Sequence, residues 1–106
     1  MRSTFDKYFV DPNSYQDTPE NRKRVIDYIK LEVKETYSSI GLGDPVTLRM
    51  MEKENLDAFK VLIKVKNKEL LKSVIKKYSN IGVYNYSSYL MMYNAQIDAL
   101  NTELSW

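Results

Sequence analysis

The chain has no cysteine and no histidine in 106 residues, and only three glycines, three prolines and one tryptophan. The first two absences remove thiolate nucleophiles, imidazole general bases and the soft metal ligands together, which turns the functional expectation from catalysis towards contact. Disulfides are excluded on the same count. Gly41-Leu42-Gly43 has the wrong spacing for a loop that cradles phosphate. No stretch approaches the roughly 18 apolar residues that read as a bilayer-spanning helix. The first eight residues, Met1-Arg2-Ser3-Thr4-Phe5-Asp6-Lys7-Tyr8, carry charge where a secretory signal has an apolar centre. The expectation is therefore a protein of a bacterial or host cytoplasm, or of a virion, with no membrane partner.

What is present suits one globular domain: 43% hydrophobic and 28% charged residues, at a length that supports a single core. Nine tyrosines, with abundant lysine and asparagine, match the residue usage of AT-rich bacterial, phage or plasmid genomes, and a phage or mobile-element origin is the expectation.

Residues 1–17 read as an N-terminal arm, and residues 18–106 as one α+β domain. Phe5, Tyr8 and Phe9 give the arm the apolar points that a disordered tail lacks, so it is expected to dock, either on its own core or on a partner subunit. Thr18-Pro19-Glu20 is a helix start: a cap, a proline at the first helical position and an acid at the positive end of the dipole. The helix is expected to end near Ile40, with Gly41 taking the left-handed position, and to bury a stripe of Ile26, Ile29, Val33, Thr36 and Ile40, widened by Val25 and Tyr37. Alternation at Val46, Leu48 and Met50, then at Phe59, Val61, Ile63 and Val65, predicts an antiparallel hairpin turning through Glu52 to Asp57. Asn67 caps a following helix with Leu70, Leu71, Val74, Ile75 and Tyr78 inward. A last helix begins near Ser87, or earlier if Gly82 to Tyr86 is not a short third strand.

That last helix carries the clearest pattern in the chain. Val83, Tyr86, Leu90, Tyr93, Ile97, Leu100 and Leu104 recur at alternating steps of three and four, which makes one apolar seam. Around Tyr89 to Ala95 the helix is apolar nearly all round, more than one neighbouring helix needs. Tyrosine and methionine suit the wet, adaptable rim of an interface. The expected interaction surface is accordingly Tyr86, Tyr89, Leu90, Tyr93, Ile97, Leu100 and Leu104, together with Phe5, Tyr8 and Phe9 of the arm. The expected partner is a second copy or another protein.

A second surface competes with it. Between Ala58 and Tyr78 lie Lys60, Lys64, Lys66, Lys68, Lys72, Lys76 and Lys77 against one acid, Glu69. That surplus of six in a chain of net charge +2 leaves −4 for the rest, so the molecule is polarised rather than basic throughout. Such a face suits a nucleic-acid backbone, although arginine for reading base edges is confined to Arg2, Arg22, Arg24 and Arg49. Glu52, Glu54, Asp57 and Asp44 lack the spacing of a metal site. Ser73, one residue from Lys72 and four from Lys77, leaves a serine–lysine nucleophile pair open, although chance produces such pairs in any lysine-rich helix. No cofactor and no small-molecule substrate are expected. The chain reads as a non-enzymatic interaction or assembly protein, with nucleic-acid binding as the alternative.

Overall fold

The computed structural model describes residues 3–102 and is all-helical among them. A short helix α1 (Ser3–Tyr8) and a 3-10 turn (Pro12–Ser14) lead into four longer helices: α2 (Pro19–Ser38), α3 (Pro45–Leu62), α4 (Lys68–Asn80) and α5 (Tyr86–Asn101). They pack as a small bundle-like globule in which α3 touches both α2 and α5, while α4 lies against α5.

The expected α+β class, with its hairpin and possible third strand, is overturned. Residues 45–62, expected to hold one strand, a turn and most of a second strand, form a single helix. Asp44 accepts the backbone N–H of Thr47 at 3.0 Å and Pro45 occupies the first turn, a helix start as complete as that of α2. The stretch taken for a turn contains no glycine or proline. Lys53 instead pairs with Asp57 one turn on, and Arg49 with Glu52 three residues on. The alternation at 59–65 is genuine but coexists with a helical stripe, Asn55, Ala58, Phe59 and Leu62, which is the face the fold buries.

The other caps fall where the sequence puts them. Thr18 accepts from Asn21 N–H at 3.1 Å, Asn67 from Leu70 N–H at 3.0 Å, and Gly41 takes φ 79° beyond the end of α2. The buried face of α2 keeps Val25, Ile29 and Val33 of the expected stripe but is rotated to take in Tyr28 and Glu32, while Ile26, Thr36 and Ile40 are exposed. Glu32 interrupts the apolar stripe, and Tyr28 lies off the three-and-four register that starts at Ile26.

The core is built around tyrosine. Tyr86 packs with the rings of Phe9, Tyr28, Phe59 and Tyr89, at centroid distances of 4.8 to 6.4 Å. Buried phenols need acceptors, and here loop carbonyls supply them. Tyr28 donates to the carbonyl of Tyr84, Tyr86 to that of Val10 and Tyr89 to that of Val83, each at 2.7 Å. Tyr93 accepts the N–H of Asn67 at the start of α4. The phenols thus tie the arm and the α4–α5 connection to the helices.

Candidate functional site

The expected interaction residues divide once placed. Tyr86, Tyr89 and Tyr93 are buried within the chain, and Leu90 and Ile97 are half-buried. Leu100 shares their helical face yet is 68% exposed, because α5 runs past the body that covers its first three turns. Leu104 lies outside the described residues. Phe5 and Phe9 dock on the same chain: Phe5 stacks on Tyr84 at 4.9 Å, and Phe9 meets Tyr28 edge-on at 5.4 Å. Tyr8 stays exposed. Most of the seam is therefore core.

All seven lysines are exposed, on helices and a turn rather than on a strand. Lys68, Lys72 and Lys76 descend one flank of α4 at four-residue steps. Lys77 lies on the other flank, roughly 140° around the axis from Lys72, and sits over the ring of Tyr78 at 5.6 Å. The ammonium of Lys68 donates to the carbonyl of Ile63 at 3.0 Å and so closes the end of α3. Lys66 lies in the α3–α4 turn. The lysine field is thus divided among several faces.

Lys60 and Lys64 stand apart because they border a cleft. On α3 and its C-terminal extension, Leu56, Phe59, Lys60, Ile63 and Lys64 follow the three-and-four spacing of one helix face. On α2, Arg22, Val25 and Ile26 do the same. Between these faces opens a cleft of about 420 Å³. Its floor is Val25, Phe59 and the half-buried Leu56 and Ile63, with Ile26 at the lip.

Tyr15, Asp17 and Arg22 join the lining of the cleft as a hydrogen-bonded set. Tyr15 packs edge-on against Phe59 at 5.0 Å and donates its hydroxyl to Asp17 at 3.2 Å. Asp17 in turn takes both prongs of Arg22, at 2.6 and 2.7 Å. Arg22 holds the Asp17 carboxyl below the ordinary carboxylate range, chiefly through that hydrogen bond. Neither Lys60 nor Lys64 enters an ion pair among the described residues. The cleft therefore offers an apolar floor, Tyr15 at its rim and two exposed ammonium groups a helical turn apart, of which Lys60 also feels the Asp57 carboxylate on its own helix. It has the chemistry of a receptor for an apolar group carrying negative charge.

Sequence reasoning listed Lys60 and Lys64 but missed Arg22, Ile26 and Tyr15 as their neighbours. The signal was available: Leu56, Phe59 and Ile63 beside Lys60 and Lys64 is an amphipathic edge once residues 45–62 are read as a helix. No group of three or more acidic residues gathers as a metal site among the described residues. None of their helices is long and apolar enough to cross a membrane. No family model, curated protein or solved structure matches the chain.

Proposed function

We propose that this protein is a non-enzymatic interaction module whose α2–α3 cleft receives an acidic, amphipathic helix of a partner protein. The observation that carries the reading is the pairing of the apolar floor with the unpaired Lys60 and Lys64. A phosphate backbone would use the lysines and leave Val25, Ile26, Leu56 and Ile63 without a contact, whereas a helix with apolar residues on one stripe and acids beside it uses both. This is the interaction role expected from the sequence, moved from the α5 seam to the cleft.

The test is selection from a library of helical peptides displayed against the full chain, followed by amide NMR mapping of the enriched peptides. The reading expects enriched sequences with apolar residues at helical spacing beside Asp or Glu. They should shift Arg22, Ile26, Lys60, Ile63 and Lys64, and lose about tenfold or more in affinity for Lys60→Glu/Lys64→Glu. Peptides that map elsewhere, or tighter binding of duplex or single-stranded nucleic acid at moderate salt, would overturn it.

Self-association through the C-terminal end of α5 is the second reading, favoured by the exposure of Leu100 (68%).

A further inference from the structure

Glu32 lies in the middle of α2 and is 4% exposed, yet no cation faces it among the described residues. One carboxylate oxygen receives the hydroxyl of Thr36 at 2.6 Å, the only hydrogen bond made to the group among the described residues. Burial holds its carboxyl above the ordinary range, and the Thr36 hydrogen bond offsets part of that. An ionised carboxylate sequestered in this way is a standing cost unless a positive charge joins it.

The surroundings leave room for one. Glu32 lines a recess of about 420 Å³ with Phe5, Thr36, Val83, Tyr84 and Ser88, separate in every residue from the α2–α3 cleft. Gly82 at its border has φ 91°, and a Cβ placed there would meet nothing within 4 Å. Phe5 and Tyr84 contribute stacked rings, centroids 4.9 Å apart and 29° from parallel. The Tyr84 hydroxyl is buried with no hydrogen-bond partner among the described residues. A single carboxylate beside hydroxyls is a poor set for calcium or magnesium, which require several oxygens. It matches an ammonium group, a compact charge with three donors that also favours aromatic faces. The apolar lining from Phe5 and Val83 suits the carbon chain behind such a charge.

We propose that this recess binds an alkylammonium group, with Glu32 as its counter-ion and the Phe5–Tyr84 pair as its aromatic wall. The group belongs either to a free aliphatic amine or to the lysine side chain of a partner, and the chemistry is the same for both.

Calorimetric and amide-NMR titrations of the full chain test it, with n-pentylamine, Nα-acetyl-lysine methylamide and the neutral n-pentanol as probes. The expected result is saturable binding of at least one amine at about millimolar concentration, with shifts at Glu32, Thr36, Tyr84 and Ser88 and much weaker binding of the alcohol. Tighter binding of n-pentylamine assigns the site to free amines, and tighter binding of the lysine amide assigns it to a partner side chain. Glu32→Gln should lower the affinity about tenfold, Phe5→Leu about threefold, and Glu35→Gln, an exposed acid on the same helix, should leave it unchanged. Glu32→Gln removes a buried charge and so should fold. Equal binding of alcohol and amine, undiminished affinity in Glu32→Gln, or no saturable amine binding up to about 10 mM would each overturn the proposal.

Discussion

The hydroxyl of Tyr86 donates to the carbonyl of Val10 at 2.7 Å, across 76 residues of sequence, and both groups are buried. This bond joins the N-terminal arm to the first turn of α5. It places the arm on its own core and removes Tyr86 from the surface on which a partner would find it. Tyr86→Phe should leave the Val10 carbonyl buried without a donor at unchanged ring packing. Denaturant unfolding should report a loss of about 1–3 kcal/mol, with faster hydrogen exchange in residues 5–15. A loss below about 0.5 kcal/mol would mean that water reaches that carbonyl and the arm is loosely held.

Glu32 makes a pH prediction. Its folded-state carboxyl titrates above its ordinary value of 4.5 because it is desolvated. The groups around it, the hydroxyls of Tyr28, Tyr37, Tyr86 and Thr36, remain uncharged through the acidic and neutral range. A raised folded value means that the protonated form is favoured by folding. Its stabilisation is fully present below pH about 4.5 and is lost as pH rises through the folded value. Glu32→Gln, which stays neutral, should therefore match the wild type at low pH and exceed its stability at pH 7. Thermal unfolding of both across this range checks it, and a variant less stable at pH 7 would refute the account of the buried charge.

The continuity of α3 separates the observed fold from the hairpin that alternation suggests. Glu54 is exposed in the middle of α3. A proline there should cost about 3 kcal/mol or more and lower helicity by circular dichroism, whereas a surface turn would absorb it. Asp44→Ala, which removes the cap on Thr47, should cost about 1 kcal/mol by the same measurement.

What could be read from the sequence depended on whether a signal was local. Thr18 and Asn67 act through neighbouring backbone groups, and the helix starts they imply are the starts observed, while α2 ends at Ser38, two residues before the expected Ile40, with Gly41 left-handed beyond it. Residues 45–62 failed because β-branched and aromatic residues at alternate positions satisfy both periods over so short a span. Deciding between them needed the Asp44-Pro45 start and the Lys53–Asp57 pairing to be weighed against it. The α5 seam was read on the correct face, but periodicity does not report what covers a face. Coverage comes from Phe9, Tyr28 and Phe59, which are remote in sequence. Glu32 was invisible for the opposite reason, since a charged residue in a buried stripe breaks the pattern used to find the stripe. The cleft needed α2 and α3 side by side, a relationship that no local signal carries.

The tyrosine seam and the aromatic arm close on their own chain, and the proposed partner surface is the α2–α3 cleft. Light scattering on the full chain at rising concentration, beside Leu100→Lys, tests this most directly. The account predicts a monomer of 12.5 kDa up to hundreds of micromolar, unchanged by the substitution. A stable dimer that Leu100→Lys disperses would contradict it and make α5 the assembly surface.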